Sequence, residues 1–565
     1  MRNQHLFFFF FLSLSFLGTL PSADAQIQQF WVGFDKKIDG QFSILQPQEF
    51  LSPRAIERKR NLGIPIDETD LPVDASKLDQ IQTFQASIRY TSRWENGAVV
   101  VCDGKTIDSI EQLSFVTDIL KIGKKPFSFK QQKSRPTPSK SDYKRSKRGE
   151  YGFAQPQVDQ IGVADLHLEG YQGEDLLVAV FDGGFYNVDE MPFFDSLWTN
   201  GQMLEGWDFV QMDDDPYHGS KHGTEVLSVM AANLPGLMIG TAPKAQYVCL
   251  RTENAFSETL VEEYNWLAAA EYADSLGVDL INSSLGYSTF NDPTMNHTYY
   301  DMDGITTMVT RAANWAAEKG MLVVTSAGND GNDPWFYISS PADAEDAITV
   351  ASVNVNGFGS AFSSRGPTPD GRIKPDVAAR GFETVVGGIT GYQTNTAYGT
   401  SFSSPLIAGA SASLWSAYPD KTPIEIKEML KASADKMDKP DIVLGNGIPN
   451  LFQAYKDEKT TQIQLSHRYD PPKIHYAPNA EKLELQFRAH QETALSVTVQ
   501  NALGQEVFKT QLDIPPKTNY QTELNVDHLP EGIYQMDVSD GQRNWSIRYQ
   551  HRRVASKPLI TNPVP

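Results

Sequence analysis

Cysteine is almost missing from this chain: its 565 residues include two, Cys102 and Cys249. Two thiols cannot build a disulfide framework, so stability has to come from core burial, for which the chain is long enough. The two fall in stretches that read as different units, so no pairing is expected. Cys249 ends an apolar strand-like run and reads as buried and inert. Positive charge is also short. Lys and Arg number 49 against 70 Asp and Glu, a net charge of −21. Phosphate backbones need a positive field, so nucleic acid is not an expected partner. Long apolar runs are missing beyond the N-terminus. The run from Leu6 to Leu17 is shorter than the ~20 residues of a spanning helix. Arg2 and His5 lie near its start and Ala23-Asp24-Ala25 precedes Gln26, so residues 1–25 read as a secretory signal peptide and not an anchor.

What is present is ordinary globular composition, 40% hydrophobic and 21% charged, at a length that suits about three domains. Residues 26–122 form a first unit. Strand-like runs (Gln29 to Gly33, Ala98 to Cys102) alternate there with a helical pattern from Thr106 to Phe115. Residues 123–150 are a linker rich in Lys, Arg, Ser and Pro, ending Lys144-Arg145-Ser146-Lys147-Arg148. Such a segment buries little, and exposed basic loops are where proteases cut, so a processing site is expected there.

Residues 151–456 repeat strand then helix. Strands are expected at Leu176 to Phe181, Tyr247 to Leu250, Val278 to Ser283, Met321 to Ser326 and Ile348 to Val353. Leu260, Val261, Tyr264, Leu267, Ala268 and Tyr272 keep helical spacing, with Gly277 as a cap. Ile305, Met308, Val309, Ala312 and Trp315 repeat the pattern, with Gly320 as the stop. That alternation predicts an α/β fold, a parallel sheet with helices on both faces and a site beyond the carboxyl ends of its strands. Residues 475–552 switch to short strands separated by turns, the pattern of a small β-sandwich.

Asp182 follows the apolar run Leu176 to Phe181, His222 opens His-Gly-Thr, and Ser401 sits in Gly-Thr-Ser-Phe-Ser-Ser-Pro. A serine hydroxyl becomes nucleophilic when a base takes its proton, and a carboxylate holds that base in the right tautomer. Ser401 precedes a helix-like stretch from Phe402 to Tyr418, where Pro405 is tolerable only in the first turn. The Ser401 N–H at that helix start and the side-chain amide of Asn329, in Ser326-Ala327-Gly328-Asn329, are candidate oxyanion donors. Ser284-Leu285-Gly286 follows a buried strand and offers backbone to an extended substrate. His218 stands four residues before His222, a metal-binding spacing on a helix. Gly219 occupies the place of the glutamate that such sites use, so no metal is expected on that pair. Asp213-Asp214-Asp215 offers hard oxygens to calcium, although clustered loop acids are more often simply solvated.

The order Asp, His, Ser and the motifs around it resemble the subtilisin-like serine peptidases. The resemblance rests on Val178-Ala179-Val180-Phe181-Asp182-Gly183-Gly184, His222-Gly223-Thr224-Glu225-Val226, Ile281 to Gly286, Ser326 to Asn329, Phe362 to Pro367 and Gly399 to Pro405. It implies a subtilisin-like parallel sheet, with Asp182, His222 and Ser401 as triad and Asn329 as oxyanion donor. Ser284, Leu285, Gly286, Ser326, Ala327 and Gly328 become walls of the primary specificity pocket. By position the 26–122 unit is similar to the family's small α+β propeptide, an inhibitor removed on activation. The C-terminal stretch is similar to a type IX secretion sorting domain, through Asn501-Ala502-Leu503-Gly504-Gln505-Glu506-Val507 and Leu529-Pro530-Glu531-Gly532-Ile533-Tyr534. The resemblance thus implies a secreted or cell-surface serine endopeptidase made as a zymogen. Its partners would be polypeptide substrates, its own propeptide and the secretion machinery. No cofactor is required for the chemistry, and a structural calcium is allowed. The rival reading is an inactive surface binding protein on the same scaffold.

Overall fold

A computed structural model describes residues 26–37, 41–124 and 149–466, and most of 469–551 as strands separated by gaps. The signal-peptide reading and the basic run Lys144 to Arg148 lie outside the described residues.

The N-terminal unit runs β1 (Gln28–Phe34), α1 (Pro53–Asn61), α2 (Ala75–Gln82), β2 (Ser87–Ser92), β3 (Gly97–Cys102), α3 (Gly104–Ile110) and β4 (Val116–Lys124). Its antiparallel sheet has the order β2-β3-β1-β4. Each helix opens on a side-chain cap: Ser52, Asp74 and Asp103 accept from Ala55, Ser76 and Thr106 N–H. The helix expected from Thr106 to Phe115 is shorter, ending at Ile110. β1 then shows why the unit does not stand alone. Phe30, Val32 and Phe34 face its own core, while the alternate residue Trp31 faces away.

The second unit runs α4 (Gln155–Gln160), α5 (Val163–Leu168), β5 (Leu177–Asp182), α6 (Asp195–Thr199), β6 (Trp207–Asp208), α7 (His222–Ala231), β7 (Asn233–Leu234), β8 (Met238–Ile239), β9 (Gln246–Arg251), α8 (Val261–Leu276), β10 (Leu280–Ser283), α9 (Met308–Glu318), β11 (Leu322–Ser326), β12 (Ile348–Val353), β13 (Val377–Arg380), β14 (Thr384–Gly387), β15 (Thr394–Ala397), α10 (Thr400–Ala417), α11 (Pro423–Ala432) and α12 (Leu451–Ser466). Seven parallel strands have the order β13-β12-β11-β10-β5-β9-β6. β5 is buried throughout, and its alternation divides two cores. Val178 and Val180 pack with α7 and α10, whereas Leu177, Ala179 and Phe181 pack with α8 and α9. Gly277 caps α8 in the left-handed region, as its spacing implied.

Trp31, Trp94, Val99 and Ile122 of the N-terminal unit complete the α8–α9 core, with Trp31 stacked on Tyr264 at 5.1 Å. A buried ion network closes the same interface. The Asp274 carboxylate, fully buried on α8, takes Arg58, Lys59 at 3.2 Å and Arg93 at 2.6 Å. Reciprocally, Lys319 reaches Asp70 at 3.2 Å and Thr69 Oγ1 at 2.6 Å in the N-terminal unit.

The C-terminal unit contributes β16 (Tyr469–Ala477), β17 (Lys482–Ala489), β18 (Thr493–Asn501), β19 (Glu506–Ile514), β20 (Thr518–Asn525), β21 (Gly532–Ser539) and β22 (Asn544–His551), in two antiparallel sheets, β16-β17-β20 and β19-β18-β21-β22. β16 begins at Tyr469, ahead of the start expected for this unit at residue 475, and includes Pro471-Pro472. The strand passes that pair through an irregularity between Asp470 and Lys473. Among the described residues no helix is long and apolar enough to cross a membrane.

Removing one partner of a buried ion cluster strands the others. Asp274→Ala is therefore expected to destabilise the full chain by about 3–5 kcal/mol. The check is the drop in Tm, which should be much smaller once the N-terminal unit has been removed.

Candidate active site

Asp182 closes β5 with its side chain 1% exposed. Its Oδ1 accepts from Gly183 N–H at 2.7 Å, and both oxygens face His222 Nδ1, at 3.0 and 2.9 Å. A carboxylate on Nδ1 fixes the proton there and leaves Nε2 as the acceptor. His222 is the first residue of α7, and its N–H donates to Ser220 Oγ at 3.1 Å. Gly223 explains the His-Gly pair. A Cβ there would fall 2.4 Å from Gly184 O and 2.9 Å from Asp182 Cβ, so only glycine lets the helix start this close to the strand end.

Ser401 is the second residue of α10 and Gly399 its N-cap. Pro405 lies in the second turn of this helix, not the first as expected. Proline supplies no N–H to the Ser401 carbonyl one turn back, and Ser284 Oγ supplies a donor at 2.9 Å instead. Ser401 Oγ in turn donates to Ser284 O at 3.3 Å, and it has no hydrogen bond to His222 among the described residues. The rings of His222 and Phe402 lie 5.5 Å apart, so the N-termini of α7 and α10 meet. Nucleophile–base hydrogen bonds are often loose without substrate and tighten in the complex.

Asn329 follows β11 and is exposed. Thr400 N–H and Oγ1–H donate to its Oδ1 at 2.9 and 3.1 Å. Because a backbone N–H can only donate, the facing atom is the oxygen, and the Nδ2 donors are left pointing elsewhere. Ser284, Leu285 and Gly286 leave β10, while Ser326, Ala327 and Gly328 end β11 and leave it beside them. Ser326 Oγ ties the two segments by donating to Leu285 O at 3.4 Å. All ten residues singled out in the sequence thus gather beyond the carboxyl ends of β5, β10 and β11.

Three others were not singled out. Thr400 orients Asn329 from inside the Gly-Thr-Ser motif. Asn282 donates to Ser284 Oγ at 3.1 Å and accepts from Ser404 Oγ at 2.9 Å. Glu253 lies just past β9, and its carboxylate approaches within 3.6 Å of the Cβ position on Gly183. An acid two residues beyond a parallel strand was the available signal. Burial alone would lower the His222 pKa; the charge and hydrogen bond of Asp182, with Glu253 and Glu225 behind it, raise it to about 9. Burial, then Glu258 and Asp182, pushes Glu253 up to about 8.

His218 and the Asp213 run do not fit a metal. Asp208, Asp213 and His218 do converge, but the Arg251 guanidinium holds Asp208 Oδ2 at 2.8 Å, and Asp208 Oδ1 accepts from Val210 and Gln211 N–H. Asp213 and Asp215 accept from backbone N–H groups two residues on. A cation placed there would face a guanidinium that already supplies the positive charge.

Residues 173–457 match the model of the subtilase family. The chain belongs to that family. Two further models match: a peptidase S8 propeptide domain of Bacteroidota over residues 29–139, and a secretion system C-terminal sorting domain over 473–549. Subtilisin E of Bacillus subtilis (strain 168) is 30% identical over 311 residues, covering 54% of this chain and 72% of that protein. Thermitase of Thermoactinomyces vulgaris is 32% identical over 267 residues, 45% of this chain and 81% of that one. Among solved structures, MycP1 from Mycobacterium smegmatis aligns at 22% identity and a TM-score of 0.45, covering 57% of this chain and 89% of that one. This subtilase is a serine endopeptidase that carries its family's propeptide, and its sorting domain marks it for secretion or the cell surface.

Two outcomes test the site. Thr400→Val in the subtilase removes one of the two donors that hold Asn329 Oδ1 and keeps the Thr400 N–H, so with Asn329 as the proposed oxyanion donor kcat should fall by up to about tenfold while KM holds, a share of what losing such a donor outright costs. With His222 as the proposed base, which must be neutral to take a proton, kcat/KM should rise as pH rises through its pKa. Glu253→Gln removes an anion that raises that pKa, so the rising limb of the pH profile should move to lower pH.

Proposed function

We propose that this subtilase cuts peptide bonds through Ser401, His222 and Asp182. His222 Nε2 takes the Ser401 hydroxyl proton as Oγ attacks the carbonyl carbon, and the C=O electron pair moves onto oxygen. Asn329 Nδ2 and the Ser401 N–H, at the positive end of α10, hold that oxyanion. The imidazolium, steadied by Asp182, gives its proton to the leaving amine. A water molecule then repeats the sequence on the acyl-enzyme, with His222 again as base. The substrate lies extended along Ser284 to Gly286, and Ser326 to Gly328 face its side chain. No step calls for a cofactor.

The observation that carries this reading is Asp182 meeting His222 Nδ1 with both oxygens while Asn329 is locked, oxygen inward, by the residue next to Ser401. The propeptide, seated on α8 and α9, acts as the inhibitor. Cleavage in the 123–150 linker starts its removal, after export has removed residues 1–25 and engaged the sorting domain at 475–552.

The test compares residues 26–565 as wild type and Ser401→Ala after a limited nick in the linker. A fluorophosphonate should add its mass to the wild type alone, and Ser401→Ala should lose roughly 10⁴-fold or more in casein hydrolysis. Equal labelling of both, or of neither once the propeptide is gone, would overturn the assignment.

A further inference from the structure

α8 and α9 pack side by side, and each ends against a left-handed glycine, Gly277 with φ +85° and Gly320 with φ +93°. A helix end leaves carbonyls without helical donors and carries a partial negative charge. One short segment of the propeptide meets both ends. Ser52 N–H and Oγ–H donate to Ser275 O and Leu276 O, each at 2.9 Å. Arg54 Nε donates to Gly277 O at 3.0 Å and Nη2 to Asp175 O at 2.8 Å, and the same guanidinium pairs with Asp279. One turn further along α1, the Arg58 guanidinium donates to Val278 O and, at 3.3 Å, to Lys319 O, and pairs with Asp274. The two glycines are themselves contact points. A Cβ on Gly277 would fall 2.6 Å from Ala55 N, and one on Gly320 would fall 2.6 Å from Leu62 Cδ1. The opposite end of α8 faces the catalytic side and lies about 24 Å away along its 16 residues. There the propeptide makes its contact through β4, which leads into the linker: a Cβ on Gly123 would fall 3.7 Å from Thr259 Oγ1 and from Val261 Cβ. A cut in the linker loosens that end and leaves every bond of Ser52, Arg54 and Arg58 in place.

We propose that the far ends of α8 and α9 form a second propeptide-binding site, separate from the catalytic cleft, which recognises a helix carrying two arginines one turn apart and governs how long the cut propeptide stays bound. The proposal rests on the reading of the propeptide as the inhibitor. Arg54 and Arg58 share one face of α1, and each planar guanidinium serves a backbone carbonyl and a carboxylate at once. A lysine offers a point charge and cannot fill both roles in that geometry. Because one helix carries both arginines, they leave together or not at all. The delay between the linker cut and full activity is then set by how fast this clamp opens.

The experiment uses residues 26–565 after a limited nick in the linker. In a Ser401→Ala background, which cannot digest its own propeptide, loss of the propeptide on dilution is followed by native mass spectrometry. Arg54→Ala with Arg58→Ala should release it about 100-fold faster or more, the scale expected when buried charge pairs are broken. Arg58→Lys keeps the charge without the fork and should fall between the double variant and its parent. In the active background the double variant should shorten the lag between the nick and casein hydrolysis. The rate after the lag should match the wild type, because the substituted residues have left with the propeptide. If the double variant does not fold, Arg54→Ala carries the test with release about tenfold faster; its side chain is 37% exposed against 5% for Arg58. Release rates that the substitutions leave unchanged would overturn the clamp, as would a shortened lag without faster dissociation. A nicked wild-type complex that hydrolyses casein at full rate with its propeptide still bound would instead sink the inhibitor reading, while the dissociation rates still decide the clamp.

Discussion

A carboxylate taken out of water must find donors, and Asp182 finds them in only one way. It ends a strand buried on both faces, and the groups within reach are the Gly183 N–H and His222 Nδ1. Satisfying that charge fixes where α7 begins, which requires glycine at 223, and fixes the proton on the far side of the imidazole from Ser401. Much of the site follows from this. α7 packs beside α10, and the same contact that brings His222 to Phe402 brings Ser401 and Thr400 to the ends of β10 and β11. The Asn329 amide and the Ser401 carbonyl are each held by a residue from the other side of the cleft. Their partners are therefore in place before any substrate arrives, which is what an electrostatic site needs.

The proline in α10 shows how closely backbone accounting is tied to this site. A helix that carries proline at its sixth residue leaves one carbonyl without its usual donor. Here that carbonyl belongs to Ser401, and Ser284 provides the donor. The missing helical bond thus becomes a bond between Ser401 and Ser284, which ties the start of α10 to the segment leaving β10. A second demand of the same kind governs the propeptide. Asp274 would be an unpaired buried charge under the propeptide if Arg58, Lys59 and Arg93 did not converge on it. The apolar contact of Trp31 and Ile122 with α8 and α9 and this ion cluster are formed by one surface, so the two kinds of interaction are made or lost together.

Much of this was legible in the chain. Alternation and helical spacing placed five of the seven strands and both helices that cover one face of the sheet, because those patterns are local and repeat over many residues. β13 escaped because Val377-Ala378-Ala379-Arg380 is short and alanine-rich, with little strand preference of its own, and it forms because β12 offers an edge. The shortened α3 and the displaced Pro405 were missed for a related reason. The end of a helix and the tolerance of a proline depend on what else can satisfy the backbone there, and those donors are distant in sequence.

The sequence by itself determined which chemical groups this protein brings to the proposed site. They are a carboxylate, an imidazole, a hydroxyl and an amide, each in a motif whose glycines and small residues permit close approach. It also determined the element types around them, since these depend on short-range sterics and hydrogen bonds. Only the tertiary structure decided that Thr400 turns the Asn329 amide, that Glu253 adds its charge to His222, and that Arg251 takes the place a cation would need beside Asp208. Each of these is a contact between segments far apart in the chain. Its geometry is set by packing several elements at once, and no local pattern carries that information.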